Sequence, residues 1–234
     1  MILPSLLTAA AVAAPTAYLS PYLWRYARVH AMRRQAAREG TLVLTYDDGP
    51  SDTATPRLLD LLAQHDARAT FFMLGCNARR YPQVADRVLA AGHEIGCHTD
   101  RHLNAWKVAP HRATADIAAG YEALSRWVAP DGLFRPPYGK ITWPTARAVA
   151  GRGARLGWWT IDSGDTYAAC PAADDIVAAV ERANGGVILM HDLGRARERE
   201  DFVCDLTYRL LNSARQRSWH VKRLGDFVDD RKQQ

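Results

Sequence analysis

From Thr41 to about residue 224 the chain alternates short apolar runs, rich in β-forming residues, with longer stretches of helical periodicity. This is the pattern of repeated strand–helix units. Seven runs read as strands: Leu42 to Tyr46, Ala69 to Leu74, His93 to Cys97, Gly132 to Arg135, Arg155 to Ile161, Val187 to Met190 and Trp219 to Leu224. They are apolar on both faces, as parallel strands covered by helices tend to be. Thr55 reads as an N-cap with Pro56 at the first helical position, ahead of Leu58, Leu59, Leu61 and Leu62. Pro82 and Pro144 open two further helices, Gly92 supplies a left-handed end to the first of them, and Pro110 opens one predicted to run to about Val128. No linker, repeat or low-complexity tract interrupts this order. Residues 41–228 therefore read as one α/β domain, behind an N-terminal appendage (1–40) and ahead of a polar tail (229–234). Seven units without an antiparallel hairpin predict a (β/α)7 barrel, irregular or open, in preference to a flat doubly wound sheet.

Composition changes this picture little, since 48% hydrophobic and 24% charged residues are ordinary for a globular protein and exclude disorder, collagen and coiled coil. The placement of charge is more informative. Arg25, Arg28, Arg33, Arg34 and Arg38 against Glu39 supply most of the formal +5, which leaves the rest of the chain near neutral and argues against nucleic-acid binding. These arginines follow an uncharged stretch, Ile2 to Trp24. At a rise of roughly 1.5 Å per residue that stretch is long enough to cross a hydrocarbon core of about 30 Å. Pro4, Pro15 and Pro21 dilute it, and the lack of a charged leading region makes it a poor signal peptide. Residues 2–24 are read as a membrane anchor or interfacial segment, so a membrane-associated protein is expected; if the segment spans, the arginines stay on the cytoplasmic side. Cys76, Cys97, Cys170 and Cys204 form no C-x-x-C motif and read as reduced, mostly buried thiols.

The ionisable residues that stand out fall at the C-terminal ends of the expected strands. Asp47 and Asp48 follow the first, His98 the third, Arg135 ends the fourth, Asp162 and Asp165 follow the fifth, and His191 the sixth. In a barrel of β-α units that rim is where an active site is assembled. A turn at Asp47-Asp48-Gly49-Pro50 needs one aspartate, so the second carboxylate is free to bind a cation beside its neighbour. His98 and His102, four residues apart, reach one ion from a helical turn or compact loop. Two imidazoles and a carboxylate with open positions describe a catalytic rather than a structural metal site. Asp165 offers His191 the carboxylate that fixes an imidazole tautomer and raises its basicity.

Taken in order, these segments resemble the five motifs of the polysaccharide deacetylase family, the carbohydrate esterases with a NodB-type domain. They are Thr45-Tyr46-Asp47-Asp48-Gly49-Pro50, His98 to His102, Arg135-Pro136-Pro137-Tyr138-Gly139, Asp162-Ser163-Gly164-Asp165 and Leu189-Met190-His191-Asp192. The resemblance implies a distorted seven-stranded barrel and a divalent metal, usually zinc with cobalt or another ion as alternatives, on Asp48, His98 and His102. It implies Asp47 as general base, His191 as general acid, Arg135 as the partner of Asp47 and Asp165 as the partner of His191. The Tyr138 N–H is expected at the oxyanion and Leu189 against the acetyl methyl. Thr166 stands where the fourth motif carries Trp, and Trp159 or Trp158 is expected to supply that wall, with Trp159 assigned to the substrate pocket. The implied reaction is removal of an N-acetyl group from a carbohydrate or glycolipid. Alternatives are deformylation of a lipid-linked amino sugar and a catalytically silent sugar-binding protein.

Overall fold

A computed structural model describes residues 23–229. Most of the uncharged N-terminal stretch (2–22) and the end of the polar tail (230–234) lie outside the described residues. Helix α1 covers 23–39 and is followed by β1 (Thr41–Asp47), α2 (Ala54–Gln64), β2 (Thr70–Met73), α3 (Gly75–Arg80), α4 (Pro82–Ala90), β3 (Glu94–Cys97) and α5 (Pro110–Ala123). Then come α6 (Trp143–Ala150), β4 (Ile161–Asp162), α7 (Ala173–Arg182), β5 (Gly185–His191), α8 (Arg197–Gln216), β6 (His220–Val221) and α9 (Leu224–Asp229). Every strand pairing is parallel, in the order β3-β2-β1-β5-β4.

The central strand β1 is buried throughout its length and pairs with β5 from Thr41 to Asp47. Its other edge is divided, β6 taking Thr41 and Leu42 and β2 taking Thr45 to Asp47. The two-residue period of a strand splits its side chains between two cores. Leu42, Leu44 and Tyr46 join Phe71, Met73, Ile188 and Met190 beneath the helices. Val43, with Phe72 and Val187, joins an inner cluster that also holds Met32, Trp158 and Phe227. Met32 and Ala36 on α1 are fully enclosed there, so this helix is packed into the fold.

Two of the seven expected strands are not ladders. The 132–135 run contributes one bridge on each side, Cys97–Phe134 and Phe134–Leu156, and within 155–161 only Ile161 belongs to a named strand. Pro136 has no N–H to continue the first ladder. The strand signal at 155–161 is divided because Gly157 donates to Phe134 while Thr160 turns to Val187 on β5. The α2 cap is also corrected. Helix α2 begins at Ala54, Thr53 makes no capping bond, and Ser51 Oγ accepts the Ala54 and Thr55 N–H groups instead. Helix α5 ends at Ala123, short of Val128, in a run of tight turns. Gly92 has φ +79 at the end of α4, the left-handed conformation expected of it.

Candidate active site

The inner faces of β1 and β5 carry the site at their C-terminal ends. Val43 is level with Val187, Thr45 with Leu189 and Asp47 with His191. The apolar pair lies in the inner core and the ionisable pair at the open end.

Asp47 is 3% exposed, and Arg135 is fully buried beside it. Arg135 donates to Asp47 Oδ1 at 2.7 Å, Thr45 Oγ1 at 2.9 Å and the Gly157 carbonyl at 3.1 Å, and its guanidinium lies over the Phe72 ring at 4.1 Å. A buried cation is tolerated when it is paired and each of its nitrogens has an acceptor, as here, where Nη2 donates to the Trp158 carbonyl at 3.4 Å. Burial pushes the Asp47 carboxyl above its ordinary range, and Arg135 and then His191 pull it back.

Beside Asp47, the loops after β1 and β3 bring Asp48, His98 and His102 together. Asp48 Oδ1 lies 3.5 Å from His98 Nε2 and 3.3 Å from His102 Nε2, and one donor atom from each of the three falls within 4.8 Å of the others. The Arg135 carbonyl accepts Nδ1–H of His98 at 2.7 Å, which fixes the tautomer and leaves Nε2 with a free lone pair. Burial lowers the His98 pKa to about 3, so the ring stays neutral. Asp48 Oδ1 is buried and accepts no hydrogen bond. A buried carboxylate oxygen without a donor, facing the Nε2 atoms of two imidazoles, fits a divalent cation.

Three non-glycine residues of these loops hold positive φ: Asp48 (72°), Thr99 (70°) and His102 (59°). Such conformations persist only where the surroundings impose them. Asn77 donates to the Asp48 carbonyl at 2.7 Å, and the buried Asp116 of α5 accepts the N–H groups of Arg101 and Leu103 at 2.9 and 3.1 Å. Gly120 on α5 lets the loop approach, since a Cβ there would lie 2.5 Å from the Thr99 carbonyl carbon. The two histidines therefore sit on a compact loop, not on a helical turn. Asp116 and Asn77 escaped the sequence reading; an aspartate on the buried face of α5 was the available signal.

On the opposite side Asp165 grips His191 with both oxygens, Oδ1 to Nδ1 at 2.9 Å and Oδ2 to the main-chain N–H at 2.8 Å. Burial opposes the charged imidazole, but the Asp165 bond and charge, with Asp47 and Asp48 beyond, push the pKa up to about 9. Asp162 serves the turn by accepting the Gly164 N–H at 2.9 Å. Arg199 donates to the Asp165 carbonyl at 2.6 Å and braces the same loop. Asp192 is buried with Oδ2 on the Thr55 hydroxyl at 2.6 Å. Burial, partly offset by Thr55 and reinforced by Asp48, pushes its carboxyl up to about 7.

Tyr138, at φ 57°, sits in the Pro137–Gly139 turn with its ring 4.5 Å from that of His102. Leu189 is 5% exposed beneath the pair. Thr166 is exposed. Of the two tryptophans, Trp158 is inner core, whereas Trp159 lies 5.5 Å from the Arg135 guanidinium and against the Gly139 turn. Two arginines missed by the sequence reading complete the rim. Arg25 of α1 stacks on Trp159 at 4.6 Å and donates to the Gly139 carbonyl, and Arg195 reaches to 4.0 Å from Asp48 Oδ2.

A family model described as polysaccharide deacetylase matches residues 34–157. The chain belongs to the polysaccharide deacetylase family. The matched range holds Asp47, Asp48, His98, His102 and Arg135; Asp165 and His191 lie beyond it, brought to the same place by β4 and β5. This family member is 37% identical over 161 residues to a peptidoglycan-N-acetylglucosamine deacetylase of Bacillus cereus, covering 68% of this chain and 76% of that protein. It is 34% identical over 157 residues to a chitooligosaccharide deacetylase of Bradyrhizobium, covering 65% and 70%. The crystal structure of a peptidoglycan N-acetylglucosamine deacetylase bound to 4-naphthalen-1-yl-N-oxidanyl-benzamide superposes with a TM-score of 0.72 at 31% identity, over 81% of this chain and 88% of the other.

Proposed function

We propose that the chain is a metal-dependent hydrolase that removes the N-acetyl group from an amino sugar in a glycan, oligosaccharide or lipid-linked sugar. The observation that carries this is the level pairing of Asp47 and His191 on adjacent strands, beside a trio of metal-competent donors. A sugar-binding module has no need of a matched base and acid. The bridges through Phe134 support reading the sheet as a distorted barrel closed between β3 and the 155–162 segment.

Asp48, His98 and His102 hold the metal, with zinc the preferred ion for two imidazoles and a carboxylate. When bound, a divalent cation there polarises the amide carbonyl and lowers the pKa of water toward about 7. Asp47 accepts the proton of the attacking water, held in place by Arg135. His191, held by Asp165, gives its proton to the leaving amine as the C–N bond breaks, and the products are acetate and a free amine. The Tyr138 N–H serves the developing oxyanion, a donor of this kind contributing roughly 10²–10³ in rate. Leu189 and Trp159 line the pocket.

The test is acetate release by the zinc- or cobalt-loaded protein from chito-oligosaccharides, acetylated glycans and lipid-linked amino sugars. No acetate from any of them, with metal bound, would overturn the proposal. Asp47→Asn separates an enzyme from a binder: an enzyme keeps sugar binding and loses turnover.

A further inference from the structure

A cavity of about 1160 Å³ lies beside α6, lined by none of the residues assigned above to metal or proton transfer. The buried side chains of Ile141 and Val149 line it together with Trp24 and Trp143, which are 47% and 55% exposed. Arg28, Arg147 and Arg155 line it too, against a single carboxylate among the described residues, Asp229, which Arg155 already pairs. Trp24 is also the last residue of the uncharged stretch 2–24.

Two half-exposed tryptophans around an apolar hollow are costly in water unless something apolar covers them. Tryptophan is favoured at the headgroup level of a bilayer, where one side of the ring is apolar and the other wet. Arginine beside it matches phosphate with a two-pronged donor set. The excess of cations selects an anionic surface over an ordinary protein partner, and the uncharged stretch that arrives at Trp24 points to lipid. We propose that this face docks the domain on an anionic lipid bilayer, with a phospholipid acyl chain in the cavity and its phosphate on Arg28 and Arg147. Trp143 follows Tyr138 on one short stretch of chain, so docking keeps the candidate active site close to the lipid surface; that clause alone rests on the proposed function.

The full chain is mixed with phosphatidylcholine vesicles, with and without phosphatidylglycerol, and bound protein is measured by sedimentation. The double substitution Arg28→Gln with Arg147→Gln lowers partitioning to the anionic vesicles roughly 30-fold and leaves the neutral ones unaffected, while Trp143→Ala weakens both. Added salt weakens the parent on anionic vesicles only. Binding unchanged in both variants overturns the proposal, because the segment before Leu23 then suffices. Concentration-dependent dimerisation without lipid, abolished by Trp143→Ala, overturns it in favour of a second copy. Acetate release from a soluble chito-oligosaccharide stays at the parent rate in these variants, so failure of docking and failure of the proposed reaction are read separately.

Discussion

Asp47 and His191 stand level on adjacent parallel strands, the last residues of β1 and β5, both on the inner face of the sheet. Strand register sets their spacing, so the candidate base and acid are positioned by a main-chain ladder and not by flexible loops. Each is then held by one further residue, Arg135 or Asp165.

Removing the positive charge at Arg135 leaves Asp47 buried without its cation. Arg135→Met is expected to destabilise the fold by on the order of 3–5 kcal/mol, the range for breaking a buried pair from one side. Asp47, already pushed up by burial, then stays protonated to higher pH, and the acidic limb of the rate profile moves upward. Thermal unfolding and a pH–rate series measure the two effects; an unmoved acidic limb would contradict the assignment of Asp47 as base.

His191 has a folded-state pKa of about 9 against an ordinary 6.5. A raised pKa stabilises the fold fully below about 6.5, and that contribution is lost as the pH rises through about 9. NMR titration of the metal-free protein should find the imidazole protonated at pH 7. In Asp165→Asn the two largest raising contributions are weakened and the pKa falls, costing roughly 10²–10⁴ in rate at neutral pH without loss of metal. Metal loss in that variant would show that His191 and Asp165 belong to the metal site.

His102 is the most exposed of the three proposed ligands, at 23% for its side chain. His102→Gln is therefore expected to fold normally without metal and to lose the stabilisation that added zinc gives the parent. That stabilisation is about 4 kcal/mol at a thousandfold excess over Kd, read as a zinc-dependent rise in Tm. An equal rise in parent and variant would remove His102 from the metal site.

Gly49 sits where a Cβ would lie 2.2 Å from Asp192 Oδ2, and Asp192 is short, buried and held by Thr55. Gly49→Ala should cost about 1–3 kcal/mol by overpacking. Gly194→Ala is the control, because its nearest neighbour, Thr53 Oγ1, would be 3.3 Å away. Urea unfolding of the two variants gives the comparison.

Arg25 ties α1 to the turn that carries Tyr138, through the Gly139 carbonyl and the Trp159 ring. Arg25→Ala should lower kcat/KM about 3- to 10-fold by loosening that turn, with metal content unchanged. Steady-state kinetics at saturating zinc decide it. An unaltered kcat/KM would mean that the turn holds its shape without α1.

The sequence by itself determined the unit order, the parallel strands and which residues are candidates for the chemistry. Short apolar runs and proline-opened helices are local properties, and Asp47, His98, Arg135 and His191 fall at the ends of runs that this pattern locates. What it left open depended on contacts between distant parts of the chain. That the 155–161 run is divided, joining β5 only at its end, follows from Gly157 and Thr160 turning to different partners, which no local pattern encodes. Arg25 read as one of a cluster of charges, yet α1 packing carries it to Trp159 and Gly139. Asp116 and Asn77 hold the loops of Asp48 and His98 through backbone groups, and the only trace of this in the sequence is a carboxylate on the apolar face of α5. The tertiary structure alone decided which charges were solvated and which were buried and paired, because burial is a property of the assembled core.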